Sequence, residues 1–324
     1  MVFSLGGFAW VPLAGTRDAI SEREKGSRVS PGHKTAVCIV RTSRVWNGSR
    51  LNQQVIKEMV DQGIVLLSGM KGVSKSWNKF FYPTDTIALK VNPIARHTGS
   101  TKPEVCYALA ETIHENVGIP YDRFIIFDVN HDDLRGAGYI LSQEKGRVQV
   151  VSSLEYSKIV TQGEVKARIS RIITDGCSAL VNVPLLKTHI ASGISVALKN
   201  HYGSIDKEVV RNDLFRYHAD GFKNLVYLNL MPPIREKERL IVVDGLMAQY
   251  HKGPDGDPRY QWRFNGIIMG TDPVAVDTVC LRVINEKRTE DSLIPIRLAY
   301  LDLAREEGLG TNSLGEILVF DKAI

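Results

Sequence analysis

Apolar residues in this chain gather in short unbroken runs separated by turn residues, and helical spacing fills the gaps between runs. The first run is Thr35–Arg41 and the second is Thr86–Val91, which closes on Asn92-Pro93. Arg123–Val129, Gln149–Leu154, Ala179–Val183, Arg239–Asp244 and Ile267–Gly270 continue the series. Unbroken apolar runs of this length predict strands covered on both faces, as in a parallel sheet. Helices are expected at Asn52–Gln62 (ending at Gly63), Glu104–Val117 (ending at Gly118), Gln162–Ile173 and Asp272–Asn285. Thr98-Gly-Ser-Thr-Lys-Pro103 supplies hydroxyl caps and a proline suited to the first helical turn. Strand, helix, strand at this spacing describes βαβ units. The expected fold is therefore α/β, a mostly parallel, Rossmann-like sheet flanked by helices. Residues 35–324 form its one domain, with room for two lobes meeting near residue 180.

Residues 1–34 stand apart from this pattern. Met1–Gly15 is apolar with a small-residue end, like the core of an export signal, but Arg17 is its first basic residue. It reads as a signal remnant, which implies export, or as an N-terminal arm, which leaves a cytoplasmic location open. Arg17–Lys34, rich in charge, Ser, Gly and Pro, reads as a linker. Nothing elsewhere reaches 18 uninterrupted apolar residues, so no membrane span is expected.

Composition narrows the function classes. At 324 residues, 44% hydrophobic and 24% charged, the chain is ordinary for a globular protein. Its net charge of +5 is spread along the sequence, without the basic stripe and interleaved aromatics of a nucleic-acid binder. Cys38, Cys106, Cys177 and Cys280 are far apart and form no C-x-x-C pair, so no iron–sulfur cluster is expected.

Candidate chemistry concentrates in two segments that follow predicted strands, where open α/β sheets bind ligands. In Asn182–Gly203, Lys187, His189 and Lys199 place cationic or protonatable groups beside Ser195 and Asn200. Ala191–Leu198 is read as the start of a helix whose free amides favour a small anion. In the second segment, Asp244–Asp277, Asp272-Pro273 has the form of a helix start, with capping as the plain role for Asp272 and ligand binding beside Asp277 as the functional one. Asp277 would have Val274, Cys280, Pro273 and Leu281 as helical neighbours, and a carboxylate on such a face needs a partner, a ligand or a proton. Lys90 and Asn92, with Arg96 and His97, lie just past another strand end and form a second candidate anion-binding edge. His189, His201 and Asp244 are the candidate metal ligands. Two classes of function compete. One is an enzyme acting on a small anion, with His189, Lys199 and Asp277 catalytic. The other is a non-catalytic metal- or ligand-binding protein.

With these motifs assembled, the sequence resembles the domain-of-unknown-function 362 family. Asn182-Val-Pro184-Leu-Leu-Lys187-Thr-His189, Leu198-Lys199-Asn200-His-Tyr-Gly203, Asp244-Gly245 and Gly270-Thr-Asp272-Pro273-Val-Ala-Val-Asp277 carry the likeness. The ferredoxin-like cysteine cluster of many relatives is missing. His189, Gly193, Ser195 and Lys199 are also similar in spacing to a segment of the nickel-pincer lactate racemases. That likeness implies a covalently held nickel cofactor on Lys199, His189 as acid/base and isomerase or hydride chemistry on a 2-hydroxy acid. Val196 and Ala197 stand where that family has glycines, and its nickel-binding histidine has no counterpart here.

Overall fold

The computed structural model describes residues 34–206 and 222–324; the expected N-terminal arm lies outside them. The strands relevant to the site are β1 (Thr35–Arg41), β2 (Ile87–Val91), β3 (Phe124–Asp128), β4 (Gln149–Ser152), β5 (Ala179–Val183), β6 (Leu185–His189), β7 (Glu238–Gln249), β8 (Gly266–Gly270) and β9 (Ile317–Ala323). The helices are α1 (Gln53–Ser68), α2 (Pro103–Val117), α3 (Ala197–Asn200), α4 (Lys223–Leu230) and α5 (Pro273–Glu290).

One mixed, mostly parallel sheet runs in the order β9-β1-β8-β7-β5-β2-β3-β4. From β7 to β4 every neighbour is parallel, whereas β8 runs antiparallel to both β1 and β7. β5 continues through Pro184 into β6, so the two lie end to end along the twelve-residue β7. The period of two divides each strand between two cores. Leu89, Val91, Val181, Val242 and Met269 pack with α1 and α2 on one face. Ala88 and Leu180 face α4, and Ile241, Val243 and Ile268 face α5, on the other. The α/β expectation holds: the predicted runs fall on β1–β5, β7 and β8, though β7 continues past Asp244 to Gln249, and β6 and β9 were not expected.

Three local expectations fail for identifiable reasons. The first helix continues past Gly63 to Ser68 and ends at Gly69, whose φ of 66° suits a glycine. Gly63 is instead where α1 meets the sheet: a Cβ there would lie 2.3 Å from Met269 Sδ. The helix expected over Gln162–Ile173 is a hairpin of Tyr156–Gln162 and Val165–Ser170. Val165, Ala167 and Ile169 are buried in strict alternation, and Gly163 turns the chain at φ 56°. Ala191–Leu198 begins no long helix. Gly193–Ile194 folds back on β6, and only the four residues of α3 are helical.

Candidate functional site

β2 and β5 are adjacent and parallel, yet their chains leave in opposite directions. From β2 the chain passes through α2 to β3, while from β5 it continues along β7. Strand ends at which the chain parts in this way are where open parallel sheets place their ligand crevices, and this one is taken as the candidate crevice. The register sets Lys90 of β2 beside Asn182 of β5 at its floor.

Both floor residues are polar in otherwise apolar strands, and both are committed to neighbours. The Lys90 ammonium lies 2.6 Å from Asp128 Oδ2 and also donates to Val91 O. Asn200 Nδ2 donates to Lys90 O (3.0 Å) and to Asn182 Oδ1 (2.8 Å), and Asn182 Nδ2 donates to Ala197 O. These bonds fasten α3 across the two strand ends. His201 completes the brace: its Nε2 lies 2.7 Å from Glu238 Oε2, and its Nδ1 lies 3.0 Å from Ser204 Oγ.

Asp277 holds the other end of the same short helix. Its carboxylate reaches across from α5 and accepts from the amides of Ala197 (2.7 Å) and Leu198 (3.3 Å). The side chain is fully buried, and desolvation pushes its pKa up to about 7 against the pull of those two amides. The carboxylate that lacked any helical explanation is thus a cap for a neighbouring helix. Asp272 caps its own helix through Val274 and Ala275 and accepts from Thr311 N. Asp244, raised to about 6 by burial, accepts from Lys102 N and Leu246 N and so ties the loop after β2 to β7.

Above the floor lie the groups with chemistry to spare. Lys187 is fully buried on β6 and donates to Gly99 O (3.0 Å) and Pro254 O (3.1 Å). Burial lowers its pKa to about 7, opposed by the Asp255 carboxylate. Lys199 is 8% exposed, and its amine stands over the Tyr202 ring, 3.9 Å from the centroid. Among the described residues it has no hydrogen-bond or ion-pair partner. Its pKa also falls to about 7, through burial first and repulsion from Lys187 second. Ser195 lies 3.4 Å from Asn92 Nδ2, and its amide bonds Lys187 O. Asn92 Oδ1 and Ser100 Oγ are buried without a partner.

His189 follows Lys187 by two residues on β6, hence on the same side of the strand, at the rim. Its Nδ1 accepts from Ala191 N and Ser192 N, which leaves the proton on Nε2 in the neutral ring. The three candidate metal ligands are not brought together. His201 lies in the brace, Asp244 holds two amides and His189 stands at the rim. Among the described residues no group of three or more His, Cys, Asp or Glu side chains is placed to hold a metal ion. The His189, Gly193, Ser195 and Lys199 spacing is divided between a hairpin and a separate short helix.

A family model described as "Domain of unknown function (DUF362)" matches residues 87–282, from the first residue of β2 into α5. The chain belongs to this DUF362 family. Every residue of the crevice falls inside the match. A thylakoid-associated protein of Synechocystis sp. is 23% identical over 258 residues, covering 74% of this chain and 73% of that protein. A solved protein from Thermotoga maritima, 11% identical, superposes with a TM-score of 0.37 over 81% of this chain and 60% of its own length.

The crevice gathers Lys187, Lys199, Ser195, Asn200, Lys90 and Asn92, all singled out in the sequence. Sequence reasoning gave no site role of their own to Asn182, Asp128, Ser100 and Tyr202. The signal for Asn182 was present, since an amide inside Ala179-Leu-Val-Asn-Val183 must find buried partners. Tyr202 stands in one of the family motifs, but nothing in the sequence pointed to its ring lying against the Lys199 amine.

Proposed function

We propose that the chain is an enzyme that binds a small carboxylate in the crevice above β2 and β5. The observation that carries this reading is Lys199, a buried amine with no counter-ion among the described residues. A charge in such a place is costly unless something neutralises it, and a bound anion would do so. Lys187 supplies a second positive group. The unpartnered Asn92 Oδ1 requires a donor, which the hydroxyl of a 2-hydroxy acid provides, and Ser100 Oγ can donate to a carboxylate oxygen. His189 at the rim would move a proton to or from the bound molecule, which is acid/base chemistry of the isomerase or racemase kind.

The test is a thermal-shift series with DL-lactate, malate and inorganic phosphate on wild type, Lys199→Met and His189→Ala. Carboxylates raise the melting temperature of wild type and of His189→Ala but not of Lys199→Met, while all three proteins melt within a few degrees of one another without ligand. A carboxylate shift that survives in Lys199→Met contradicts the proposal.

A further inference from the structure

We infer that Lys199 is a nucleophile that captures the carbonyl carbon of a 2-oxo acid as an imine. The inference rests on the anion-binding reading above and adds a reacting atom to it.

A bound anion neutralises buried lysines, but an anion seat by itself does not require that two of them be buried together. An exposed ammonium, or an arginine fork, attracts an anion without desolvation. Here the two amines are placed unequally. Lys187 points at two carbonyl oxygens, Gly99 O and Pro254 O, and feels the Asp255 carboxylate, all of which favour its proton. Lys199 has no such oxygen among the described residues, and Lys187 repels a charge on it. A proton shared by the pair therefore settles on Lys187, and Lys199 keeps its lone pair. The geometry around Lys199 also suits the product. An iminium ion is a cation, as the ammonium is, and the Tyr202 face 3.9 Å away stabilises either one without occupying the lone pair of the free amine. Asp277 at one end of α3 and Asn200 at the other fix the backbone that carries the amine.

The step is balanced without any redox partner. The amine lone pair attacks the carbonyl carbon, and the carbonyl oxygen takes a proton from the Lys187 ammonium to give a carbinolamine. Loss of that oxygen as water, with a second proton drawn from the amine itself, leaves the C=N bond. The carboxylate of the oxo acid meanwhile faces Lys187. Burial and the neighbouring Lys187 hold the amine's pKa at about 7, below the ordinary lysine value, so at pH 7 it is free far more often than a surface lysine.

The experiment treats the full chain with pyruvate and sodium cyanoborohydride at pH 7, followed by intact-mass measurement and peptide mapping. One reduced pyruvyl group on Lys199, in at least about tenfold excess over any other lysine, is expected. Lys199→Arg, which keeps the charge, should lose that adduct, and excess DL-lactate, which has no carbonyl, should suppress it in wild type. Label scattered over surface lysines, or none, overturns the inference even if Lys199→Arg fails to fold. Carboxylate-induced thermal stabilisation without trapping at Lys199 overturns the imine alone and leaves the anion site standing, whereas loss of both removes both.

Discussion

Replacing Asp277 with Asn gives a stability difference whose dependence on pH has a definite sign. The carboxyl is fully buried and its pKa in the folded chain is about 7, against 3.8 when exposed. The folded state therefore binds the proton more tightly than the unfolded state, and the stabilising protonation is complete below about pH 4. Stability from this group is lost as pH rises through 7. Three pKa units at 1.36 kcal/mol each make the full change about 4 kcal/mol. Asn has the shape of the protonated acid and does not titrate. One of its polar atoms can still accept from Ala197 N at 2.7 Å, while the weaker 3.3 Å contact to Leu198 N is lost in both the acid and the amide. Wild type and Asp277→Asn should thus be close in stability near pH 4.5, with the variant gaining steadily until pH 8. Urea midpoints for both proteins across that range measure the gap. A gap that is flat, or that moves the other way, would show an ionised carboxylate held by its two amides at every pH, and would refute the reasoning.

Two further substitutions probe the frame of the crevice. Asn182→Ala strands Ala197 O and leaves Asn200 Nδ2 with only its bond to Lys90 O, and should cost about 2–4 kcal/mol, read from the same denaturation midpoints; a loss below about 0.5 kcal/mol would mean that the brace is dispensable. Gly253→Ala puts a Cβ 1.9 Å from Thr188 O, a backbone atom that cannot step aside, so a loss of about 2–4 kcal/mol and weaker carboxylate binding through the displaced Pro254 are expected.

Much of this arrangement was legible in the chain because burial imposes a cost that shows in the pattern. Lys90 inside Ile-Ala-Leu-Lys-Val and Asp277 among Val274, Cys280 and Leu281 both break an apolar run, and both proved to be buried with partners. What those partners would be was not legible, because they come from distant elements: Asp128 lies 38 residues from Lys90, and the amides that Asp277 holds lie about 80 residues away. The misread hairpin at 156–170 has a different origin. Lys, Ala, Arg and Glu there are good helix formers, but Val165, Ala167 and Ile169 alternate, and burial of that face overrode propensity. Likewise Ala191–Leu198 carries helix-tolerant residues, yet His189 bonds the amides of Ala191 and Ser192 and commits that stretch to a turn.

The central claim is an anion seat at Lys187 and Lys199, and proton linkage tests it most directly. Two amines with pKa values of about 7 are largely neutral at pH 7.5, and an anion arriving beside them raises Lys187, which holds the proton that the pair shares. Calorimetric titration of DL-lactate at pH 7.5, in two buffers of different ionisation enthalpy, should therefore report uptake of roughly half to one proton per anion bound. Lys199→Met should abolish that uptake together with the binding. Binding of lactate with no proton uptake, or uptake unchanged in Lys199→Met, would contradict the account.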